Sequence, residues 1–585
     1  MENCITAVTP GQSGKCISEH NANVCLSEPR IENFELPCAH TFHPARLMTL
    51  NARFTLSAAA LLTIATMSVL HAQDITNKDL LDGLANPSRW LTHSGDYSGR
   101  RFSPLTQITP ANVGQLAAQW TFQTNVVNKF EATPIVIDGV LYVTGSLNHA
   151  WAIDGRTGRQ IWHYQRTLPE GLKVCCGLVN RGFAVLGDRL FMVTLDAHFV
   201  ALEMKTGKVI YDVEMAKVKD GFAATGAPLI IKDKVIVGVA GGEYANRGFI
   251  DAYDAATGAL AWRFYTIPAP GEKGSETWKG EIWARGGGPT WLTGTYDPAL
   301  NLLYWGTGNP NPDWDGTARP GDNLYTGSLV ALDPDTGTLK WHYQYTPHDT
   351  HDWDANEVPV LADLMIHDRP RKVVIMANRN GFFYVNDRIT GEFLVGKPFV
   401  NTTWAKEIGS DGRPRVLPDT DPTPAGTTTC PDWYGGTNFM SPSYDAKRNL
   451  FFVTARETCA RFMQRPTAAT AGLGDRTMGG TVAMVSDPKR YGALRAIDPT
   501  TGERKWEITY GDAGWAGVLA TAGGVVFSAD DVGTFFAADS VTGKKLYSFQ
   551  TGAAIYAPPT SYQLDGRQYV VMPSGTNLTA FALPK

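Results

Sequence analysis

The sequence predicts an all-β protein, an eight-bladed β-propeller, and three observations support this prediction. A phrase made of a strand, an Asp-x-x-Thr-Gly turn and a second strand recurs along the chain. Many of the turn glycines lie about one propeller blade apart. The chain also contains 59 glycines and 35 prolines, a density of turn residues that suits many short strands better than long helices. The blades of a propeller bury their faces against one another, so no second domain is needed.

The repeat is a hairpin whose second strand ends in an aromatic residue. Glycine takes the positive φ angle that the tight turn requires, and the aspartate side chain can cap the turn. Two longer gaps contain further hairpins that begin at Thr295 and Ser443. Seven copies and one degenerate blade predict eight blades, with a seven-bladed ring and an open β-solenoid as alternatives. The copies begin at Ala152, Ala201, Ala252, Ala331, Ala496 and Ala537, with a weaker copy at Tyr384.

The N-terminal region has the composition of an export signal preceded by extra residues. The uncharged segment 54–70 is short for a membrane span but fits the apolar part of a secretory signal. Such a segment should follow a start codon closely, so we interpret residues 1–47 as an over-extended gene start. Residues 48–72 are then the signal peptide, and 73–585 form a single propeller domain exported to the periplasm without stable membrane insertion. A membrane-anchored protein with a cytoplasmic arm is the alternative.

The net charge, the cysteines and the histidines of the chain argue against several classes of function. The formal net charge of −5 argues against a nucleic-acid partner. An even number of cysteines follows the predicted leader, as expected in an oxidising compartment, and no Cys-x-x-Cys-His motif for a c-type haem occurs. His348 and His351 lack a third nearby ligand, so zinc is not expected. The four cysteines are Cys175, Cys176, Cys430 and Cys459. An adjacent pair makes a strained disulfide, so two buried thiols or two long-range disulfides stay open here.

Several motifs together resemble the quinoprotein dehydrogenases, which use pyrroloquinoline quinone (PQQ). These motifs are CCGLVNRG from Cys175, RNGFFY within ANRNGFFYVND, and the repeat ending in Trp, which is similar to the tryptophan-docking motif. The resemblance extends from about Arg89 to the C-terminus and is closest to the methanol and ethanol dehydrogenase branch. It also implies a structural disulfide between Cys430 and Cys459.

The resemblance implies which residues hold PQQ. Cys175 and Cys176 would form a vicinal disulfide against one face of the quinone, and Trp283 would stack on the other face. Cations and fixed donors would surround the carboxylates of PQQ. Two departures from the family pattern are Ala240, where many relatives have Ser, and Phe439, which replaces a common Trp. The implied cofactor residues are Glu131, Cys175, Cys176, Arg181, Thr225, Gly241, Gly242, Trp283, Arg379, Asn438 and Trp515.

A metal ion with oxygen ligands is the second implied group. Glu243, Asn309 and Asp352 match the metal ligands of the family. Asp354 lies two residues after Asp352, and residues two apart in an extended segment project to the same side. Calcium-type relatives have a small residue there, whereas lanthanide-type relatives have Asp, which suits the higher charge of a trivalent ion. We therefore predict a lanthanide(III) ion. Ca²⁺ beside a solvent-facing or turn-capping Asp354 is the alternative.

The resemblance implies oxidation of a small-molecule alcohol to an aldehyde or ketone. Asp352 would take the hydroxyl proton, the carbinol hydride would pass to the quinone, and Arg379 would hydrogen-bond the developing oxyanion. Glu243 is the alternative base. Electrons would leave to a separate periplasmic cytochrome c, and a homodimer is compatible with the sequence. The alternatives are a non-catalytic propeller scaffold and a sugar or polymer dehydrogenase with the same cofactor, for which the inserts 402–436 and 461–491 would set the substrate.

Overall fold

The computed structural model describes residues 74–466, 472–485 and 490–585, so the predicted leader and signal peptide lie outside the described residues. The one α-helix of the described residues is Asn77–Asp82, and the side chain of Thr76 caps it by accepting a hydrogen bond from the Asp79 N–H. Among these residues, no helix combines the length and apolar character needed to cross a bilayer. The 3-10 helices are Gly83–Ala85, Val113–Gln115, Ser146–Asn148, Val218–Asp220, Gly242–Tyr244, Ser275–Thr277, Ile282–Arg285 and Gly316–Ala318.

Most strands form small antiparallel sheets, and the predicted all-β propeller fold is confirmed. We number the sheets in chain order. Sheet 1 consists of Ile135–Ile137, Val140–Thr144, His149–Asp154 and Gln160–Gln165, and sheet 2 of Ala184–Leu186, Arg189–Val193, His198–Glu203 and Val209–Glu214. Sheet 3 consists of Leu229–Ile231, Lys234–Gly238, Phe249–Asp254 and Leu260–Tyr265, and sheet 4 of Thr295–Asp297, Leu302–Gly306, Ser328–Leu332 and Leu339–Gln344.

The remaining large sheets include two that join distant parts of the chain. Sheet 5 consists of Val360–Ile366, Arg369–Ala377, Phe382–Asp387 and Phe393–Pro398, and sheet 6 of Ser443–Asp445, Leu450–Glu457, Tyr491–Asp498 and Glu503–Tyr510. Sheet 7 consists of Leu519–Thr521, Val525–Ala529, Thr534–Asp539 and Lys545–Gln550, with Phe102–Ser103 added in parallel. Sheet 8 consists of Thr560–Leu564, Arg567–Ser574 and Asn577–Ala582, and Ala117–Gln123 completes it.

Two smaller sheets lie within the predicted inserts. Ala405–Ile408 pairs with Pro414–Val416, and Thr427–Thr429, Ala460–Gln464 and Gly480–Met484 form a three-stranded sheet. The disulfide between Cys430 and Cys459 is present and confirms that pairing. This disulfide joins the residue that follows Thr427–Thr429 to the residue that precedes Ala460–Gln464, so it links two strands of the three-stranded sheet at their ends.

A tryptophan of one sheet rests on the turn glycine of the next. The Nε1 of Trp162 donates to the carbonyl of Met204 over 3.0 Å, and its ring covers Gly207. Gly207 has a φ of 71°, and a Cβ there would come within 2.7 Å of the ring. The same ring-on-glycine packing occurs at Gly158, Gly337, Gly391 and Gly543. The repeat therefore places glycine in these turns both for their backbone conformation and for the space that the neighbouring ring occupies.

The predicted site residues lie at one end of their sheets. They lie in the loops that enter the first strand of a sheet or leave its second strand. These two strands run antiparallel, so the start of one and the end of the other are at the same end of the sheet. Entry loops carry Glu131, Arg181, Thr225, Asp352, Asp354, Asn438 and Trp515, and exit loops carry Glu243, Asn309 and Arg379. Loops that are distant in sequence are therefore brought together at the same end of their sheets.

The ring-on-glycine packing predicts an unequal response of two glycines with similar backbone angles. Gly337 (φ 73°) has Trp262 carbon atoms 2.6 Å from a would-be Cβ, whereas Gly566 (φ 75°) has no atom within 4 Å. In both variants alanine must adopt a positive φ, which lowers the stability of each by a similar amount. We expect Gly337→Ala to be less stable than Gly566→Ala by about 1–3 kcal/mol because of overpacking. Melting temperatures at equal scan rates measure this, and equal values for the two variants would refute the packing account.

Candidate active site

A tight loop presents two aspartates to one arginine. The carboxylate of Asp349 accepts hydrogen bonds from the N–H groups of His351 (2.9 Å) and Trp353 (2.8 Å). Asp352 adopts a φ of 63°, an uncommon value for a residue with a side chain. The carboxylates on either side of Trp353 both reach the Arg379 guanidinium, at 3.5 Å for Asp352 and in a closer ion pair for Asp354.

Asp354 is buried and has three hydrogen-bond donors. Besides Arg379, its carboxylate accepts from the backbone N–H of Asn309 at 2.6 Å and from Nε1 of Trp291 at 2.9 Å. Only 4% of Asp354 is exposed, so the solvent-facing alternative does not hold. Gly308 permits this approach, because a Cβ there would lie 2.4 Å from Oδ1 of Asp354.

Two further acids surround the loop and make the site strongly acidic. Burial, together with the nearby Asp354 carboxylate, raises the pKa of Glu243, and burial raises the pKa of Asp352 well above its ordinary value against the effect of Arg379. Burial and the Glu243 carboxylate likewise raise the pKa of Asp313. Oε2 of Glu243 is buried and has no hydrogen-bond partner among the described residues. A hard cation would offset this repulsion and fill the open coordination of these oxygens, so the residues fit a metal ion.

The Glu243 turn packs directly on Asn309. A Cβ at Gly242 would lie 2.8 Å from Oδ1 of Asn309, and a Cβ at Gly241 (φ 110°) would lie 2.1 Å from the carbonyl of Gly221. Both glycines are therefore required for close packing of this turn. The structure thus places the predicted ligand Asn309 with its side-chain oxygen beside the turn that carries Glu243.

The Cys175–Cys176 disulfide is present and lies beside the same acid. The two sulfur atoms and a carboxylate oxygen of Glu243 all lie within 4.8 Å of one another. A sulfur atom in a disulfide is not a thiolate, so this group is not a thiolate metal site. The contact shows instead that the cysteine pair and the acidic cluster face a common space.

Arg181 forms a second charged cluster. Its guanidinium pairs with Glu131 at 2.7 Å and donates to Oγ1 of Thr225 at 2.8 Å. The same guanidinium lies 4.8 Å from the Trp291 ring and 5.3 Å from the Phe439 ring. The Nε atom of Arg181 is buried without a partner in the described part of the chain. Donors left open in this way fit an anionic ligand such as the carboxylates of PQQ.

An aromatic wall continues from Arg181. The Trp515 ring stacks on Phe439 with centroids 5.5 Å apart, and it meets Tyr434 edge to face at 5.2 Å. Nδ2 of Asn438 donates to the carbonyl of Tyr434 at 2.8 Å. Arg456 lies 4.0 Å from the Trp515 ring. Asn438 and Trp515 are therefore close to each other, as the predicted site requires.

The aromatic residue at the centre of the site is Trp291, not Trp283. Trp291 lies against Arg181 and donates to Asp354, so it joins the two charged clusters. Trp283 lies 5.1 Å from the Arg247 guanidinium and makes no such contact with either cluster within the described residues. This corrects the prediction that placed Trp283 in the site, because the seven residues between the two tryptophans lead the chain from a 3-10 helix to the entry loop of sheet 4.

Three residues of the site were not predicted from the sequence. Trp291 follows Gly286-Gly287-Gly288 in GGGPTW, and this position next to a predicted strand was an available signal. Asp313 and Arg456 had no such signal. Each is brought into place by contacts with residues distant in sequence, such as Arg456 with Trp515.

Most of the chain matches one known protein family. Residues 90–402 and 413–570 match the family model described as "Glucose/ethanol/alcohol dehydrogenase, beta-propeller domain" with the short name PQQ. The chain is 36% identical to quinoprotein alcohol dehydrogenase PedH of Pseudomonas putida, over 90% of this chain and 93% of that protein. It is 35% identical to the lanthanide-dependent methanol dehydrogenase of Methylacidiphilum fumariolicum, over 88% and 89% of the two chains.

Solved structures agree with the sequence comparisons. A europium-containing methanol dehydrogenase superposes with a TM-score of 0.82 at 33% identity, covering 87% of this chain and all of that one. The quinohemoprotein alcohol dehydrogenase ADHIIG of Pseudomonas putida also gives a TM-score of 0.82, at 34% identity, covering 87% and 82% of the two chains. The family match, these relatives and the geometry of the site together show that the chain belongs to the family of PQQ-dependent alcohol dehydrogenases.

Proposed function

We propose that the protein oxidises an alcohol to an aldehyde or ketone, with PQQ bound beside a metal ion. The observation that carries this proposal is the network in which the half-buried Trp291 joins the Arg181 cluster to the Asp354–Arg379 pair. A basic region and an acidic region side by side suit an anionic cofactor next to a cation. Membership in the family supports the same pairing of groups.

The cofactor would lie between Trp291 and the disulfide of Cys175 and Cys176. Trp291 takes the stacking role that the sequence analysis gave to Trp283, because an indole ring fixed by a hydrogen bond offers a flat, rigid surface. The Nε atoms of Arg181 and Arg379 are buried and have no hydrogen-bond partner in the part of the chain that the structure describes, so they are suitable donors for quinone oxygens and carboxylates. The other residues assigned to this site are Glu131, Thr225, Gly241, Gly242, Asn438 and Trp515.

The metal ion would bind to Glu243, Asn309, Asp352 and Asp354, and we favour a lanthanide(III) ion over Ca²⁺. Three of these ligands are carboxylates, and their repulsion is offset in the described residues mainly by Arg379. A trivalent ion compensates this excess of negative charge more fully than a divalent ion of similar size does. Two relatives described above carry a lanthanide in their names.

The residues of the chain would act on the substrate hydroxyl. When bound, PQQ supplies the two-electron oxidising chemistry and the metal ion supplies Lewis acidity. Asp352 accepts the hydroxyl proton, since its carboxylate is the one of the acidic loop with the longer contact to Arg379. Arg379 donates to the oxygen that gains negative charge. Asp354, held by three donors, keeps the Arg379 guanidinium in place.

Electrons would leave to a separate periplasmic cytochrome c. The apolar segment 54–70 supports export, and the Cys430–Cys459 disulfide suits an oxidising compartment. A homodimer stays part of the proposal. The substrate is an alcohol of small molecular size, and the inserts 402–436 and 461–491 would limit its dimensions.

Replacement of the two tryptophans separates the two assignments of the stacking ring. We expect Trp291→Ala to weaken PQQ binding about tenfold or more, because both the stacking surface and the hydrogen bond to Asp354 are lost. Trp283→Ala is the matched control and should change the dissociation constant less than about twofold, since its ring lies against Arg247. Calorimetric titration of the apoprotein with PQQ measures both. Weakened binding in Trp283→Ala alone would reinstate Trp283 and refute the role of Trp291.

The metal assignment is tested with an alcohol and aldehyde panel and each ion in turn. Apoprotein given PQQ and La³⁺ should reduce an artificial electron acceptor with a simple alcohol. Asp354→Ala should lose about tenfold or more of the La³⁺-supported turnover and less of the Ca²⁺-supported turnover, because a carboxylate ligand is lost. Asp421→Asn, a change at an exposed acid that bonds Thr350, is the control. Activity restored by Ca²⁺ alone would refute the lanthanide assignment, and no activity with either ion would refute the proposed function.

A further inference from the structure

Asp313 is a buried acid of the site to which the proposed mechanism gives no role. It lies in the loop that leaves the strand Leu302–Gly306, and it is fully buried, with 0% of its surface exposed. One carboxylate oxygen, Oδ1, accepts a hydrogen bond from Nδ2 of Asn309 at 2.9 Å. The other, Oδ2, is buried and has no hydrogen-bond partner among the described residues. Burying a carboxylate oxygen without a hydrogen-bond partner is unfavourable for folding, so we expect Asp313 to have a role that compensates for this cost.

The contact with Asp313 decides which end of the Asn309 amide faces the Glu243 turn. The oxygen and nitrogen of an amide occupy almost the same space, so their order is fixed by hydrogen-bond partners. An ionised carboxylate accepts and does not donate, and in the structure the end of Asn309 that meets Asp313 is Nδ2. Oδ1 then points the other way, toward Gly242, where no described residue donates a hydrogen bond to it.

The backbone of Asn309 is held by hydrogen bonds of both its N–H and its carbonyl. Its N–H donates to Asp354, and its carbonyl accepts from the N–H of Gly288 at 2.8 Å. These backbone contacts still permit the side-chain amide to rotate by half a turn, which exchanges the positions of Oδ1 and Nδ2. A weak contact of Nδ2 with the carbonyl of Pro310, at 3.4 Å, is the alternative acceptor and is too long to hold the group alone.

Asp313 is itself held by a buried arginine. Arg319 donates to the backbone carbonyl of Asp313 at 3.0 Å and to that of Pro312 at 2.8 Å, and it also bonds the carbonyl of Asp349. Arg319 therefore ties the Asp313 loop to the loop of Asp352 and Asp354. The position of the carboxylate that meets Asn309 is thus set by the same contacts that set the acidic loop.

We propose that Asp313 is a positioning residue of the metal centre, which orients the Asn309 amide so that its oxygen faces the ion. This inference rests on the proposed function, because it concerns the metal site assigned above. Partners that orient a metal ligand from behind typically contribute about 10–100-fold to metal affinity. Asp313 acts through Asn309 and is not counted among the ligands.

Two variants of Asp313 distinguish orientation of the Asn309 amide from a purely electrostatic effect of the Asp313 charge. Asp313→Asn removes the charge but keeps a side-chain oxygen that can accept from Nδ2 of Asn309. Asp313→Ala removes both. If orientation is the role, the conservative variant should rescue what the alanine variant loses; if charge is the role, the two variants should be equally impaired.

The test measures ion binding, not turnover. The PQQ-loaded protein is titrated with La³⁺ and with Ca²⁺ in chelator-buffered solutions, and dissociation constants are obtained for each variant. We expect Asp313→Ala to bind both ions about tenfold or more weakly and Asp313→Asn to stay within about threefold of the unmodified protein. Asp251→Asn is the control for loss of a buried carboxylate, because the Asp251 carboxylate bonds Arg263 and Tyr253 within sheet 3. Its ion affinity should not change.

Three results would overturn the inference. Unchanged affinity in Asp313→Ala contradicts a positioning role, and equal losses in the alanine and asparagine variants assign the effect to charge. An unmodified PQQ-loaded protein that binds neither ion contradicts the proposed metal centre itself, which distinguishes that failure from the first two. Should Asp313→Ala fail to fold, Asp313→Ser takes its place, since its hydroxyl is too short to reach Asn309.

Discussion

Packing of a tryptophan ring on a neighbouring turn glycine is the contact on which the rest of this structure depends. It links successive sheets through a ring, an indole hydrogen bond and a backbone that only glycine adopts easily, as at Trp162 and Gly207. Sheets held in this way keep their entry and exit loops at the same end. The site therefore needs no deep pocket within a single sheet, because loops from neighbouring sheets supply its side chains.

Buried charge is the second constraint on the site. Arg181 and Arg379 are both largely shielded from water, and each is paired with a carboxylate, Glu131 and Asp354 respectively. These pairs leave open donors on the arginines and an excess of acid around Glu243. Removing charged groups from water is costly unless partners compensate them, so an anion near one cluster and a cation near the other would stabilise this arrangement.

The sequence was sufficient for the parts of the protein that repeat or form local motifs. The Thr-Gly turns predicted the strands and the positive φ of the turn glycines, and the vicinal disulfide that the resemblance implied for CCGLVNRG is present. Trp283 shows the limit of this reasoning: the resemblance singled out one of 16 tryptophans, whereas the loop that follows the glycine run brings Trp291 against Arg181 and Asp354. Asp313 depends on the folded path of its loop, which no local pattern encodes.

Sheet 8 has a consequence for how the protein is made. Its strand Ala117–Gln123 pairs with Asn577–Ala582, and the paired threonines Thr121 and Thr579 are 458 positions apart. During synthesis on the ribosome, the early strand must wait for almost the whole domain before its partner exists. Until then it is an open edge to which other chains could add. Factors that shield this edge during synthesis would therefore raise the yield of folded protein.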